Sequence, residues 1–195
     1  MTVSMATPIP QRHRRPRSAR ESTPRYIAEY AELYRDMGPT AFQHHFKRAA
    51  LVGYGIYGSV AERPKQWCRR TLPTDENQEL NAVRSLVDRV WPICKDPGAP
   101  RGPRVILGAA AESDVVVPDY SVSTRHCAFS FEPGRLLISD LDSLNGTFMA
   151  GRRLEPGETF PLVDRVPLCV GRIKVQYLTR ESFHELVARH ADGRR

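Results

Sequence analysis

Residues 127–149 read CAFSFEPGRLLISDLDSLNGTFM. CAFSFE, RLLISDL and GTFM are short runs with strand character, and turn formers separate them. Pro133-Gly134 suits a hairpin turn with glycine at positive φ. Asn145-Gly146 suits a tight turn of the same kind. The pattern extends in both directions. VWPICK (90–95) and RVILGA (104–109) flank DPGAPRGP, and DVVV (114–117), PLCV (167–170) and IKVQYL (173–178) follow. VPDYS, AGRR, EPGE and VGR lie between the later runs. Short strands at this spacing predict a mainly β fold, an antiparallel sandwich or barrel. No helix-length segment interrupts the series, so the pattern excludes a parallel α/β sheet.

The flanks have helical periodicity. In RYIAEYAELYRDMG, Ile27, Tyr30, Leu33 and Tyr34 share one face, and Gly38 closes the helix. A second helix is expected over PTAFQHHFKRAALVGYG (39–55), with Phe42, Phe46 and Leu51 inward and Gly53 as its end. Residues 53–75 look like a connector. PTDENQELNAVRSLVDRV (73–90) predicts a third helix capped by Thr74. After the strands, TRESFHELVARHADG predicts a final helix capped by Thr179, with Phe183, Leu186, Val187 and His190 on one face and Gly193 as the stop. The expected division is therefore a disordered Arg/Pro-rich tail (1–25), a helical segment with linker (26–90), a sandwich (91–178) and a C-terminal helix and tail (179–195).

Composition narrows the function. Of 195 residues, 41% are hydrophobic, enough for a core, yet no apolar run approaches the roughly 20 residues that span a bilayer. No apolar stretch precedes the N-terminal arginines, so no secretory signal is indicated. The four cysteines, at 68, 94, 127 and 169, form no CxxC pair. Free thiols and a cytoplasmic location are the expectation. The net charge is +7, but the first 25 residues hold six arginines against Glu21, leaving only +2 for the remaining 170. The basicity belongs to the tail, which argues against the folded body as a nucleic-acid binder.

The stretch VSTRHC (122–127) concentrates hydroxyls, a guanidinium, an imidazole and a thiol. A serine hydrolase would also need a strained elbow, an orienting carboxylate and an oxyanion hole, and no G-x-S-x-G is present. His126 and Cys127, if they begin a strand, point to opposite faces and cannot act as a couple. The adjacent pair His44-His45 has no third ligand in register, so no metal is expected. These absences predict a binding protein without cofactor rather than an enzyme. A second loop, DLDSLNGTF (140–148), offers complementary chemistry: its asparagine carboxamide can grip an extended peptide through both C=O and N–H. Hydroxyls and a cation on one loop and an amide on the other suit an oxyanion carried by a peptide.

These residues resemble the forkhead-associated (FHA) domain, a phosphothreonine-peptide-binding module. Ser123-Thr124-Arg125-His126 matches its Ser-x-x-His element, Ser143-Leu144-Asn145-Gly146-Thr147 its Ser-x-Asn-Gly-Thr element, and Gly171 the glycine before its last strand. The resemblance spans about residues 91–178. It implies an FHA-type antiparallel β-sandwich with a helical N-terminal segment and a C-terminal helix. It further implies that Ser123 donates to a phosphate oxygen, that Thr124 contacts the peptide main chain, and that Asn145 hydrogen-bonds the peptide backbone. His126, Gly108, Ser143, Gly146 and Thr147 would support the site, His126 by bracing the loop that presents Ser123.

One departure matters. The family's early Gly-Arg falls at Gly108-Ala109, so the main phosphate cation is missing. Arg125 is the first candidate to replace it, with Arg104 and Arg152 behind. The expected function is a non-catalytic adaptor in Ser/Thr kinase signalling. Its partner would be a phosphothreonine-containing protein or kinase substrate, with neither membrane nor nucleic acid involved. One alternative is a scaffold of the same fold that binds without phosphate. Another is a nucleic-acid-associated factor tethered by the basic tail. If Thr23, in Ser22-Thr23-Pro24, were phosphorylated, the tail could dock on the same surface.

Overall fold

The computed structural model describes residues 24–56, 85–99 and 102–193. The tail expected to be disordered, except Pro24 and Arg25, and residues 73–84 of the expected third helix lie outside the described residues. The chain runs β1 (Arg25–Tyr26), α1 (Ile27–Met37), α2 (Pro39–His45), β2 (Ala50–Ile56), β3 (Arg89–Pro92), β4 (Val105–Gly108), β5 (Val115–Val116), β6 (Cys127–Glu132), β7 (Arg135–Asp140) and β8 (Thr147–Met149). It continues through β9 (Arg152–Arg153), β10 (Phe160–Pro161), β11 (Pro167–Val170), β12 (Ile173–Leu178) and α3 (Arg180–Ala191).

Two sheets result. One has the strand order β1-β3-β2-β12-β11-β8-β9 and the other β10-β7-β6-β4-β5. The fold is a mainly β sandwich, as the strand spacing predicts. Among the described residues, the one parallel ladder joins β4 to β5, with Leu107 opposite Val115. Between the sheets lies a core that includes Trp91, Ile93, Leu107, Phe129, Ile138, Leu168 and Ile173. The fully buried Trp91 also donates its indole N–H to the Val116 carbonyl at 3.2 Å, linking the two sheets.

A third layer covers the outer face of the larger sheet. Ile27 and Tyr30 of α1, Phe42 of α2, and Phe183 and Val187 of α3 pack on Ala50, Val52, Val90 and Leu178. Tyr30 meets Phe46 and Phe183 edge-on, with ring centroids 5.2 and 5.1 Å away. Strand alternation explains the division of labour. Leu51 and Trp91 face the sandwich core, whereas their neighbours Ala50, Val52 and Val90 face the helices.

Two expectations are corrected here. The helix predicted over 39–55 ends at His45, and Ala50–Ile56 is instead a strand between β12 and β3. The third helix does not reach Val90, because β3 begins at Arg89. The sandwich therefore crosses the boundary expected at residues 90 and 91. Gly53 is no helix stop. A Cβ there would lie 2.0 Å from the Leu86 carbonyl oxygen, so glycine admits the backbone that leads into β3.

The register also positions the loops. Cys127 at the start of β6 pairs with Asp140 at the end of β7, and Thr147 at the start of β8 pairs with Val170 at the end of β11. The segments before β6 and after β7 and the β11–β12 turn must therefore emerge at one end of the sandwich.

Gly53→Ala should lower stability by about 1–3 kcal/mol, because backbone would have to move. Gly55→Ala, in the same strand, would meet nothing closer than the Lys174 stem at 4.0 Å and should change stability far less. Thermal denaturation followed by circular dichroism separates the two variants.

Candidate functional site

The imidazole of His126 is fully buried at the sandwich end. Its Nδ1 lies 3.0 Å from the Ser123 amide, which donates to it. That bond requires a lone pair on Nδ1, so in the neutral ring the proton sits on Nε2 and is donated to the Gly146 carbonyl at 3.1 Å. The Gly171 amide also approaches Nε2 at 3.2 Å and donates to the same Gly146 oxygen at 3.2 Å. The ring thus joins the Ser123 loop to the Asn145 loop, and the Gly146 carbonyl carries the link on to the β11–β12 turn. Burial pushes its pKa down, against opposing pulls from the Gly146 bond and from Asp140.

The two loops also meet directly. The Leu144 amide donates to Ser123 Oγ at 3.0 Å, which leaves the Ser123 hydroxyl proton for another acceptor. Behind the second loop, buried Asp140 accepts from the Ser143 amide at 2.8 Å, the Ser143 hydroxyl at 2.7 Å and the Thr147 hydroxyl at 2.5 Å. Ser143 and Thr147 thus support this loop. Gly146, at φ +79°, closes its turn. Asn145 is buried, and its Nδ2 donates to the Ser121 carbonyl at 2.8 Å, holding the first loop to the second.

The first loop has two further anchors. Gly108 passes so close that a Cβ there would lie 2.0 Å from the Thr124 carbonyl oxygen, which also accepts from Ser113 Oγ at 3.2 Å. The Ala109 amide donates to the Ser123 carbonyl at 3.0 Å, and its methyl packs on the sandwich core instead of reaching the rim. The side chains of Thr124 and Arg125 are exposed. The other anchor escaped sequence reasoning. Arg172 in the β11–β12 turn grips Asp119 through Nε at 3.1 Å and Nη2 at 2.9 Å, and its guanidinium lies 4.2 Å from the Tyr120 ring centroid. Its amide donates to Ser121 Oγ at 3.0 Å. The only signal was the conjunction of VPDYS and VGR, two stretches that read as ordinary turns.

The predicted residues Ser123, Thr124, Arg125, His126, Ser143, Asn145, Gly146 and Thr147 all lie at this one end. Of the candidate replacement cations, Arg104 and Arg125 line a common cavity beside Thr124, whereas Arg152 sits on edge strand β9. Arg153, which follows Arg152, brings its guanidinium against Gly146, with Nε 2.9 Å from where a Cβ would stand. His126 is badly placed as a base toward Ser123, since Nδ1 takes the backbone proton rather than the hydroxyl proton. Burial pushes the Cys127 thiol far up, which disfavours a thiolate. The rim is suited to holding a ligand by hydrogen bonds.

Residues 105–171 match the family model of the FHA domain. Over that segment the chain carries an FHA domain. It is 31% identical over 77 residues to the glycogen accumulation regulator GarA of Mycolicibacterium smegmatis, covering 40% of this chain and 47% of that protein. To the oxoglutarate dehydrogenase inhibitor of Corynebacterium efficiens it is 30% identical over 76 residues, covering 39% and 51%. The chain thus spans about half the length of the curated relatives it matches. The solved FHA domain of CT664 from Chlamydia trachomatis is similar at 17% identity and a TM-score of 0.44, over 68% of this chain and 97% of that one.

The lowered pKa of His126 has a consequence with a definite sign. Between the folded value and the ordinary value near 6.5, the unfolded chain binds more protons, so stability rises with pH. The contribution is complete above about pH 6.5 and is lost as pH falls through the folded value. His184, whose Nε2 lies 2.7 Å from the Phe46 carbonyl and whose pKa burial also lowers, acts in the same direction. Melting temperature should therefore fall on acidification below about pH 6.5, with a shallower slope in His126→Asn.

Proposed function

We propose that the chain is a non-catalytic adaptor that binds a threonine-phosphorylated segment of a partner protein across the rim formed by residues 121–126 and 143–147. The contact that carries this reading is the bond from the Leu144 amide to Ser123 Oγ. It fixes the hydroxyl oxygen and leaves its proton for a phosphate oxygen, with Asn145 one residue further along the same loop. Thr124 presents an exposed side chain to the peptide main chain. Asn145 spends one amide N–H on the Ser121 carbonyl, which leaves its second N–H and its carboxamide oxygen for a peptide backbone. The setting is Ser/Thr kinase signalling, in which phosphorylation creates the ligand.

A second reading rests on Ala109. Its methyl belongs to the core, and no guanidinium extends from this position toward Ser123. A rim without that cation can bind a peptide through main-chain contacts alone and act as a scaffold indifferent to phosphate.

Titration of the full chain with matched phosphothreonine and threonine peptides decides between them. The adaptor reading expects the phosphorylated form to bind at least tenfold more tightly. Ser123→Ala should reduce that preference by about one to two orders of magnitude, the worth of a hydrogen bond to a charged group. Equal affinity for the two peptides would establish the scaffold reading.

A further inference from the structure

A cavity of about 420 Å3 opens beside the recognition loop, between residues 102–106, 112–114 and 124–125. Lys95, Arg104, Glu112, Asp114, Thr124 and Arg125 contribute to its walls. One pair of these charges is internal to the wall. Asp114, almost fully buried, accepts from Lys95 Nζ at 2.8 Å and from the Asp96 and Ile106 amides at 3.0 and 2.8 Å. Among the described residues, what remains is two guanidinium groups against the single carboxylate of Glu112. Arg104 and Arg125 are both exposed, and neither meets a carboxylate among the described residues. The cavity is therefore net positive, with charge left to satisfy.

Its relation to Ser123 is fixed by backbone. The Thr124 carbonyl is held by Ser113 Oγ and by the Ala110 amide at 3.4 Å, while Ser123 Oγ is turned to Leu144 in the opposite loop. The cavity borders the far side of the recognition segment from the Asn145 loop. A peptide lying across the rim would meet Ser123 and then, within a few residues, Arg104 and Arg125.

We infer that this cavity is a second anion subsite, which takes a carboxylate or a further phosphate carried by the same peptide as the phosphothreonine. The inference rests on the adaptor reading for the placement of the peptide, and it specifies the partner class: threonine-phosphorylated segments with acidic or additionally phosphorylated flanks. Two charge-assisted guanidinium bonds on one ligand group make the flank a determinant of affinity rather than a passive neighbour.

The test is a binding titration of the full chain at fixed ionic strength. The peptides share one backbone, with threonine or phosphothreonine at the centre and flanks that are neutral, aspartate-bearing or carry a second phosphothreonine. The proteins are the natural chain, the double variant Arg104→Gln/Arg125→Gln, and Glu112→Gln. All three positions are exposed, and unchanged melting temperatures verify folding. Acidic flanks should tighten binding to the natural chain by about tenfold or more. That gain should vanish in the double variant and grow in Glu112→Gln, and the neutral-flank phosphothreonine peptide should bind the natural chain and the double variant alike. No gain from acidic flanks, or a gain that survives the double variant, overturns the subsite. Loss of the neutral-flank phosphothreonine peptide in the double variant also overturns it, because the two arginines would then serve the primary phosphate. Indifference to the central phosphate defeats the adaptor reading instead. In that case an Arg104/Arg125-dependent gain from acidic flanks on the unphosphorylated peptide still upholds the subsite. The aspartate and second-phosphothreonine arms identify which anion it prefers.

Discussion

The end of the sandwich that carries the Ser123 and Asn145 loops depends on an imidazole that must stay neutral. His126 accepts from the Ser123 amide on one side and donates to the Gly146 carbonyl on the other, so each ring nitrogen has one fixed role. Both partners are main-chain groups, one on its own loop and the other, Gly146, 20 residues further along the chain. Unmade, each would be a buried polar group without water, which costs about 1–3 kcal/mol. A protonated ring could not accept from Ser123, and burial raises the cost of the charge. The loops are therefore held together by the same desolvation that holds the proton in place.

Buried carboxylates perform the complementary task. Asp140 gathers the Ser143 amide and two hydroxyls, Asp114 gathers two amides and Lys95, and Asp119 gathers Ser121 and Arg172. In each case a short acidic side chain satisfies donors that the strand ladders leave over. The rim is thus ordered by charge-assisted bonds to its own backbone, and the groups it presents outward are those these anchors leave over.

Much of this was legible in the sequence, for definite reasons. CAFSFE and IKVQYL are strands over the residues expected, β6 and β12, and strict alternation marked them. Thr179 caps the last helix as its position implied, accepting from the Ser182 amide. Strand β2 was misread because both its faces are buried, one under helices and one in the core. A run such as AALV then lacks alternation and imitates the continuation of α2. The loops of the site were legible through the family resemblance, since hydroxyl, imidazole and carboxamide recur there at fixed spacing. The grip of Arg172 on Asp119, 53 residues away, was not. It depends on the register of β11 and β12 against the rest of the sheet, which no local pattern encodes. The cavity shared by Arg104 and Arg125 was likewise invisible, for it exists only when β4 is folded beside the segment before β6.

The placement of β2 bears on how this protein can be handled in pieces. The family match begins at residue 105, yet the six-residue strand β12 is hydrogen-bonded along its outer side to Ala50–Ile56. A fragment trimmed to the matched segment, residues 105–171, would lose β12 as well as Trp91 and would carry β11 as a naked sheet margin. Unpaired amides and carbonyls of that kind recruit other chains. Such a fragment would be a poor soluble reagent, and the minimal unit worth expressing begins ahead of α1, so that the helices travel with the strand they cover.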